Sequence, residues 1–237
     1  MSDKGFQMPF LIKGKLIKRY KRFLADIKLE TGEKVTAHCP NSGSMRGCAM
    51  PGSDVWLSRS DNPKRKYQYT WELMKAPGTM IGINTLVPNK LVKQSIENDL
   101  INELSGYDQV KAEVKTSSHT RLDLLLEKGI NEKCYVEIKN CTLVEEGTAM
   151  FPDAVTTRGQ KHLEELERLV SLGHRGVIFF LIQRMDAKLF KPADQIDKVY
   201  AEKLKKAVKN GVEILVKDTF IDTRVIRLRN AVTVDLG

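Results

Sequence analysis

The chain has 237 residues, of which 41% are hydrophobic, and its formal net charge at pH 7 is +9. This length fits one large domain or two smaller ones with a sizeable core, and no apolar run approaches the ~18 residues that a membrane-spanning helix needs. Because the N-terminal segment MSDKGFQMPF also lacks the apolar stretch of a signal peptide, we expect a cytoplasmic protein without a membrane partner.

The positive charge is concentrated in the first third of the chain. Residues 1–80 hold 15 Lys and Arg against 7 Asp and Glu, a net charge of +8, whereas residues 81–237 hold 24 against 23. Such asymmetry indicates a basic domain that faces a polyanion, and nucleic acid is the favoured partner. The alternative is a basic surface that serves only solubility.

Residues 9–75 have the pattern of short strands separated by turns. The segments FLIKGKLIKRY and RFLADIKLE mix apolar and basic residues. The sequence TGEKV after them predicts a hairpin turn in which Gly32 supplies the permissive backbone. Several short strands without a convincing helix predict a small OB-like β-barrel over residues 1–80.

The predicted barrel carries basic residues suited to a nucleic-acid backbone. Cations track phosphates, and aromatic rings stack on bases. The candidate DNA-binding residues form two clusters, one of Arg19, Lys21 and Arg22 and one of Lys64, Arg65 and Lys66. The loop PNSGSMRG between the clusters predicts an anion-binding turn that uses backbone amides, with Arg46 assisting.

An aromatic stripe follows the second basic cluster, with Tyr67, Tyr69 and Trp71 two residues apart. This spacing puts the three rings on one face of a strand. The stripe fits either core packing, which is the commoner use of such a pattern, or stacking on bases.

The four cysteines, Cys39, Cys48, Cys134 and Cys141, have spacings that match no common zinc pattern. In a cytosolic protein we expect small, mostly buried and reduced thiols at such positions. A zinc site is the less favoured alternative.

Residues 76–90, APGTMIGINTLVPNK, hold two prolines and two glycines, which predicts a connection with a domain boundary near residue 80. Beyond it the periodicity predicts an α/β domain over residues 81–237, with late strands parallel to a neighbour. The predicted helices span residues 91–106, 157–173 and 196–211, and the predicted strands span residues 109–115, 121–127, 133–139, 177–184 and 212–220.

Two acids and a lysine lie on the central predicted hairpin of this domain. If the hairpin is centred near Ile130, Asp123 lies opposite Glu137 and Arg121 lies opposite Lys139. Partners directly opposite are about 4.5–5.5 Å apart at Cβ, and like charges so placed repel each other. A divalent cation removes this conflict, because Mg²⁺ commonly binds through one or two carboxylates together with substrate phosphate.

The same residues also fit two ordinary ion pairs, Glu137 with Lys139 and Asp123 with Arg121. A shift of the hairpin register by one residue would place the two acids on opposite faces of the sheet. The metal site therefore depends on the register of this hairpin.

The predicted helix over residues 157–173 opens with the polar side chains of Arg158, Gln160, Lys161 and His162. Free backbone N–H groups at a helix N-terminus favour phosphate, so Arg158 and Lys161 are further candidates for DNA binding. A polar helix start without a ligand is the alternative. His119, in the turn TSSHT before the central hairpin, is expected to be exposed to solvent.

An Asp followed by an E-x-K strand, in an order of helix, three strands, helix and strand, resembles the PD-(D/E)XK nuclease superfamily. The resemblance implies that Asp123 and Glu137 hold Mg²⁺ and that Lys139 assists the attack of water on a phosphodiester. It further implies an acid on the first helix, for which Glu97 is the candidate, and a polar catalytic residue on the next helix, where Gln160 fits. The proline that usually precedes the Asp is absent here.

Four longer stretches are similar to the sugar fermentation stimulation protein A family. They are RFLADIKLETGEKVTAHCPNSGSMRG, YTWELMK, VEIKNCTL and FPDAVTTRGQKHLEEL, in the same order. This resemblance implies an N-terminal OB-like domain and a C-terminal nuclease-like domain. It also implies an association with DNA binding and with the regulation of sugar utilisation, notably of maltose.

Two functions follow as expectations. The first is a Mg²⁺- or Mn²⁺-dependent endonuclease acting on DNA, in which Asp123 and Glu137 are the metal ligands and Lys139 steadies the developing charge. The second is a DNA-binding regulator built on an unused nuclease scaffold. Since the sequence has no helix-turn-helix or finger pattern, we expect DNA contacts that are largely non-sequence-specific.

Overall fold

The first strand of the chain lies outside the barrel. The computed structural model describes residues 5–118 and 120–237, so His119 lies outside the described residues. Strand β1 (Phe6–Gln7) pairs antiparallel with residues 225–226 near the C-terminus. The segment Phe6–Gln7 therefore belongs to the larger sheet, and the division of the chain at residue 80 stays a prediction.

A six-stranded sheet follows. Its strands are β2 (Leu11–Tyr20), β3 (Leu24–Leu29), β4 (Lys34–His38), β5 (Asp54–Arg59), β6 (Tyr69–Ala76) and β7 (Thr79–Gly82). The strand order is β4-β3-β2-β5-β6-β7, and a parallel pairing of β4 with β6 closes five strands into a barrel. The hairpin at TGEKV joins β3 to β4, with Gly32 at a φ of +90°. The predicted OB-like barrel is confirmed.

Apolar side chains fill the interior of this barrel. The buried cluster includes Leu16, Ile27, Val55, Leu57 and Trp71. Tyr69 packs against the same cluster, and the indole N–H of Trp71 donates to a main-chain carbonyl of its own strand at 3.0 Å. The aromatic stripe therefore serves core packing at Trp71.

The rest of the chain alternates helices and strands. In chain order the elements are α1 (Val87–Glu97), β8 (Gln109–Lys115), β9 (Arg121–Lys128), β10 (Glu132–Cys141), β11 (Leu143–Glu145), β12 (Thr148–Phe151), α2 (Thr157–Ser171), β13 (Arg175–Ile182), β14 (Leu189–Pro192), α3 (Lys198–Lys209), β15 (Glu213–Ile221), β16 (Val225–Ala231) and β17 (Thr233–Val234). A 3₁₀ turn at Asn102–Leu104 lies between α1 and β8.

A seven-stranded sheet forms the centre of this part, in the order β1-β16-β15-β13-β10-β9-β8. Strands β10, β13 and β15 run parallel to one another, as predicted for the late strands. Helix α1 packs on one face with Val136 and Ile138, whereas α2 and α3 pack on the other face with Tyr135. The predicted α/β class is confirmed.

The first helix lies earlier in the chain than its predicted range of residues 91–106. It begins at Val87 and ends at Glu97. Pro88 in the first turn favours this start, because its fixed φ suits a helix and its missing N–H would be unpaired there. Asp99, with a φ of +53°, leaves the helical region and prevents continuation. The earlier start places Asn89 on the helix.

A small sheet of β11, β12, β14 and β17 has no counterpart in the sequence prediction. Its strands have two to four residues, and alternation over so few residues does not identify a strand. This sheet lies beside the end of β10 and leads into the segment before α2.

The four cysteines are buried free thiols, as predicted. Cys48 of the barrel lies against the larger sheet, with its Sγ 3.6 Å from the carbonyl oxygen of Thr142. Within the described residues, no helix has both the length and the apolar character required to cross a bilayer.

Candidate functional site

Strands β9 and β10 form a hairpin that brings the two predicted acids to the same end of the ladder. The last observed pair is Leu124 opposite Val136, which is the register predicted for a hairpin centred near Ile130. The predicted register is confirmed. Asp123 and Glu137 occupy the next positions, where the ladder ends.

Asp123 lies where the two strands separate. Its Oδ2 accepts a hydrogen bond from the backbone N–H of Ile138 at 2.8 Å, and its Oδ1 accepts one from the side-chain amide of Asn89 on α1 at 2.7 Å. Burial, followed by the negative charge of Glu137, raises the pKa of Asp123 to about 6. The charge conflict expected between the two acids is therefore present.

Glu137 is more deeply buried, with only 3% of its side chain exposed. Its Oε1 contacts the ammonium of Lys139 at 2.5 Å and Nδ1 of His162, whereas Oε2 has no hydrogen-bond partner among the described residues. Burial acts to raise the pKa of Glu137, but Lys139 and His162 outweigh it and hold the pKa below its usual value. An unpaired buried oxygen is costly, so Oε2 is an atom that a bound ligand would satisfy.

The two carboxylates are held by helices on opposite faces of the sheet. Helix α1 supplies Asn89 to Asp123, and α2 supplies His162 to Glu137. The strands separate beyond the Leu124–Val136 pair, and the Asp123 carboxylate accepts the backbone N–H of Ile138 there. The charges of the two acids still interact across this gap.

One of the two ordinary ion pairs considered from the sequence is observed. Glu137 and Lys139 form a buried pair. Arg121, however, pairs with Glu113 at 3.7 Å, and Asp123 is bound by an amide and a backbone N–H instead. Asp123 therefore lacks the cationic partner that the alternative required.

His162 is the site residue to which the sequence assigns no role. Its Nδ1 lies 3.2 Å from the ammonium of Lys139. Arg158, one turn earlier, donates to Nε2 of His162 at 3.3 Å, which makes Nε2 an acceptor and puts the ring proton on Nδ1, toward Glu137. Its sequence signal is a polar residue that interrupts the buried apolar stripe of α2, beside Leu163.

Gln160, the expected catalytic residue of α2, does not join this cluster. Its amide donates to the carboxylate of Asp197 at 3.1 and 3.2 Å. Two residues along a helix rotate a side chain by about 200°, so Gln160 and His162 point in different directions. Asp197 also caps the N-terminus of α3 by accepting from the N–H of Tyr200, so Gln160 supports a helix junction.

Glu97, the expected acid of the first helix, is also remote from the cluster. It pairs with Lys93 one turn earlier and is exposed. It follows Asn89 by eight residues, which is about 12 Å along a helix axis. Asn89 thus takes the position for which Glu97 was the candidate.

The donor atoms of the cluster suit a hard divalent cation. Asp123 and Glu137 supply carboxylate oxygens, and Mg²⁺ and Ca²⁺ both prefer oxygen ligands. In residues 5–118 and 120–237, no group of three or more His, Cys, Asp or Glu side chains is arranged to hold a metal ion. A cation here would complete its coordination with water, backbone carbonyl or phosphate oxygens, as Mg²⁺ usually does.

A cleft of about 320 Å³ lies next to the acids, between the barrel and the larger sheet. Its walls come from the loop PNSGSMRG, the start of α1, the end of β10 and the segment after β12. The polar residues that line it include Asn41, Ser42, Thr85, Asn89, Lys139 and Asn140. Asn89 and Lys139 also contact the acids, so a molecule bound in this interdomain cleft would lie beside them.

A second pocket, of about 290 Å³, is basic. Its lining residues are Thr120, Arg121, Thr157, Arg158, Lys161 and His162. His162 connects this basic pocket to Glu137. The predicted DNA contacts Arg158 and Lys161 therefore lie in a pocket that adjoins the acids.

Arg19, predicted to contact DNA, supports a loop of the barrel. Its guanidinium donates to the carbonyl oxygens of Arg22, Asn41 and Gly43, each at 2.9 Å. All three bonds are made by Nη2, whereas Nε is buried without a hydrogen-bond partner among the described residues. Its main role in the fold is to fix the loop that forms one wall of the interdomain cleft.

The loop PNSGSMRG binds the carboxylate of Asp153, a residue of the same chain. The backbone N–H of Met45 and the hydroxyl of Ser44 donate to Asp153 Oδ2 at 3.1 and 3.2 Å. Arg46, expected to assist anion binding, pairs with Glu145 at 3.3 Å. The loop therefore joins the barrel to the segment after β12.

The other predicted DNA contacts lie at the barrel surface. Lys21, Arg22, Lys64 and Lys66 are exposed. The ammonium of Lys66 lies 5.6 Å from the centre of the Tyr67 ring. Arg65 is less exposed and donates to Thr70 at 3.0 Å. Their contact with DNA stays a prediction.

Both parts of the chain match models of one protein family. Residues 17–83 match the model described as SfsA N-terminal OB domain. Residues 86–224 match the model described as Sugar fermentation stimulation protein RE domain. The two matches together cover most of the barrel and most of the sheet that carries the acids.

Curated relatives match the chain over most of its length. A sugar fermentation stimulation protein homolog of Geotalea uraniireducens (strain Rf4) is 58% identical over 210 residues, which cover 88% of this chain and 90% of that protein. The homolog of Geotalea daltonii (strain DSM 22248 / JCM 15807 / FRC-32) is 53% identical over 231 residues, which cover 98% of this chain and 100% of that protein.

A solved structure has a similar fold over its whole length. It is the SfsA of Pyrococcus furiosus in complex with Ca²⁺, with a TM-score of 0.89 and 28% sequence identity. The match covers 97% of this chain and 98% of that chain. With both of its domains matched and with relatives at more than half identity, this chain belongs to the sugar fermentation stimulation protein family.

Proposed function

We propose that this protein binds DNA and hydrolyses phosphodiester bonds with a divalent cation, Mg²⁺ or Mn²⁺, held by Asp123 and Glu137. The observation that carries the proposal is Glu137 Oε2, a buried carboxylate oxygen without a partner among the described residues. The second acid, Asp123, lies nearby, and its pKa is raised to about 6 by burial and by repulsion from Glu137. The SfsA of Pyrococcus furiosus was solved in complex with Ca²⁺, which supports a divalent cation in this fold.

The residues around the acids have distinct tasks in this proposal. A bound divalent cation supplies a Lewis acid that polarises the phosphate and lowers the pKa of bound water. His162 and Lys139 hold Oε1 of Glu137, which leaves Oε2 for the cation. The ammonium of Lys139 also provides positive charge where the phosphate oxygens gain negative charge in the transition state.

The basic pocket next to His162 suits a phosphate that flanks the scissile bond. Arg121, Arg158 and Lys161 line it, and guanidinium groups bind phosphate through paired charge-assisted hydrogen bonds. Arg158 has a second task, since its hydrogen bond to His162 sets the ring proton that faces Glu137. This pocket would hold the DNA backbone against the acids.

DNA is the proposed polyanion because the excess positive charge lies in the first third of the chain, which contains the barrel. Residues 1–80 carry a net charge of +8, and Lys21, Arg22, Lys64 and Lys66 are exposed there. Binding of this kind is largely independent of sequence and weakens with salt. A cytoplasmic location is part of the proposal, and a role in regulating sugar utilisation, notably of maltose, accompanies it through the family resemblance.

The nuclease proposal is tested by incubating circular single-stranded DNA and supercoiled plasmid, in separate reactions, with the full chain and Mg²⁺ or Mn²⁺. Wild type is expected to cleave at least one of the two DNAs, and Glu137→Gln is expected to lose about 100-fold or more of that rate, because a metal ligand is removed. Glu97→Gln is the matched control, since Glu97 is an exposed acid paired with Lys93. Absence of cleavage by wild type, or full activity of Glu137→Gln, would overturn the nuclease proposal.

The second candidate is a DNA-binding regulator without catalysis. The observation in its favour is that Lys139 and His162 already compensate the charge of Glu137, so the cluster is stable without a cation. Under this alternative the chain binds DNA equally well in EDTA and in Mn²⁺ and leaves both DNAs intact. Gel-shift measurements in the two conditions, read beside the cleavage test, decide between the candidates.

A further inference from the structure

The interdomain cleft is small and closed on several sides. Its volume of about 320 Å³ is at the lower end of the ~300–1,000 Å³ range of small-molecule sites. Such a space receives a group the size of one nucleotide but not a stacked base pair with its two backbones. Asn89 and Lys139 form the wall shared with the acids, so whatever enters lies beside the proposed reaction centre.

Besides the charged side chains of Lys139 and Asp153, the cleft presents uncharged hydrogen-bonding groups. Asn41 and Asn140 accept hydrogen bonds through Oδ1, from Gly43 and Gln183 respectively, which directs their NH₂ groups elsewhere. Asn89 donates its NH₂ to Asp123, which leaves its Oδ1 as an acceptor. Among the described residues these two NH₂ groups and this oxygen have no partner, and amide groups of this kind read the edges of bases.

The loop that closes the cleft is fixed in place. Arg19 donates to three of its neighbouring carbonyls, and the hydroxyl of Thr85 donates to the carbonyl oxygen of Pro40 at 2.5 Å. A Cβ built on Gly43 would lie 2.6 Å from Oδ2 of Asp153, so the loop and the segment after β12 are in close contact. A wall held by these contacts does not open to admit a duplex.

A second cleft, of about 500 Å³, continues the first along the barrel. The two share Ser42, Gly43, Phe151 and Asp153. Arg22 lines the second cleft, and Phe23, next to it at the tip of the β2–β3 hairpin, is 51% exposed. A cation beside an exposed aromatic ring is the combination that proteins use to bind unpaired strands.

We infer that the interdomain cleft takes one unpaired nucleotide and that the substrate of the proposed nuclease is single-stranded DNA. The strand runs from the Arg22–Phe23 tip through the cleft, past the acids and into the basic pocket of Arg121, Arg158 and Lys161. The base enters the cleft against the asparagine amides while its phosphate faces Lys139. This inference rests on the proposed function and specifies its substrate.

The test compares binding of single-stranded and duplex DNA to the full chain. Fluorescence anisotropy is measured in millimolar Ca²⁺ with a labelled strand of about 20 nucleotides, longer than the ~4–16 nucleotides that an OB fold covers, and with the same strand annealed to its complement. The single strand is expected to bind at least about 10-fold more tightly, because its unpaired bases are free to stack on an aromatic ring and the bases of a duplex are not.

Ser42→Trp is the informative variant, because Ser42 is exposed and lines both clefts. The indole is expected to fill the passage and to weaken single-strand binding about 10-fold or more, while Mn²⁺ binding by calorimetry is retained. Ser171→Trp, about 21 Å along α2 from its first residue, is the matched control, since Ser171 is also exposed.

Equal affinity for the two forms of DNA, tighter binding of the duplex, or an unchanged Ser42→Trp would overturn the inference. The ratio of the wild-type affinities for single-stranded and duplex DNA tests the inference even if Ser42→Trp does not fold. Measurements of Mn²⁺ binding and DNA cleavage on the same preparations distinguish failure of the substrate inference from failure of the proposed function. A chain that binds Mn²⁺ and cleaves duplex as fast as single strand refutes the substrate alone, whereas a chain that binds neither Mn²⁺ nor DNA refutes the proposed function as well.

Discussion

The side-chain amide of Asn89 donates a hydrogen bond to Oδ1 of Asp123 at 2.7 Å, which joins the first helix to the start of strand β9. The nuclease resemblance favours an acid on this helix, and Glu97 was its candidate. A neutral amide at Asn89 instead stabilises the ionised form of Asp123 without adding a third negative charge. The contact also orients the carboxylate at the mouth of the interdomain cleft.

Replacing Asn89 with alanine is therefore expected to weaken cation binding. Removal of a hydrogen-bond partner that orients a metal ligand typically costs about 10–100-fold in affinity. Calorimetric titration of Mn²⁺ at neutral pH measures the effect. Gln94→Ala, an exposed position on the same helix, serves as the control, and an Asn89→Ala variant with wild-type affinity would contradict the role given to this residue.

The raised pKa of Asp123 predicts how stability depends on pH in the metal-free protein. An acid whose folded pKa is about 6 binds its proton more tightly in the folded than in the unfolded chain, where its pKa is about 4. Stability is therefore gained as pH falls through about 6. Between about pH 7.5 and pH 5.5 the gain from this group is about 1 kcal/mol.

Urea unfolding of wild type and Asp123→Asn in EDTA at the two pH values isolates this contribution. The pH-dependent gain is expected in wild type and should be missing in Asp123→Asn, which does not titrate. If both proteins respond identically to pH, Asp123 does not have the buried and repelled carboxylate described here.

Lys139 is expected to be the main internal counter-charge of Glu137. Lys139→Met leaves Glu137 buried with His162 alone, and breaking a buried ion pair costs about 3–5 kcal/mol. Chemical unfolding in EDTA measures the loss. Saturating Mn²⁺ should restore more stability to this variant than to wild type, because the cation replaces the missing positive charge.

The double variant Lys139→Met/Glu137→Gln provides the control for that experiment. It removes the negative charge of Glu137, which Lys139→Met leaves without its main counter-charge. Much of the lost stability should therefore return, and the response to Mn²⁺ should disappear. A single Lys139→Met variant that is as stable as wild type in EDTA would show that the pair contributes little.

The basic residues of the barrel are expected to divide into two classes. Lys21→Ala and Lys64→Ala should each lower the slope of log Kd for DNA against log salt by about 1, since each exposed cation neutralises one phosphate. Arg19→Ala should instead lower the free energy of unfolding by about 2 kcal/mol, because its hydrogen bonds to loop carbonyls are lost. Salt titrations and urea unfolding of the three variants separate the classes.

Much of the fold follows from patterns that are local in sequence. The Gly32 turn, the apolar stripe of α2 and the register of the hairpin around Ile130 each depend on a few neighbouring residues, and each was predictable. The small sheet of β11, β12, β14 and β17 was not, since its strands have two to four residues and most of their pairings join segments that are distant in sequence.

In the candidate site, too, residues that are close in sequence were predictable and residues brought together by packing were not. Asp123, Glu137 and Lys139 belong to one hairpin, so their proximity follows from its register. His162 and Asn89 reach the acids from helices on opposite faces, and sequence spacing gives no information on such packing. Gln160 and Glu97 lie away from the acids, because Gln160 binds Asp197 and Glu97 lies in the last turn of α1, eight residues beyond Asn89.

The pairing of β1 with β16 gives the barrel two tethers instead of one. The chain leaves the large sheet after residue 8 and returns near residue 83, and the backbone N–H of Gly82 donates to the carbonyl oxygen of Gln183 at 3.0 Å. The barrel is in this sense an insertion within its host. A fragment that begins at residue 81 would lose an edge strand and uncover the main chain of β16 to self-association, whereas excising residues 9–83 with a short linker would leave the host sheet whole.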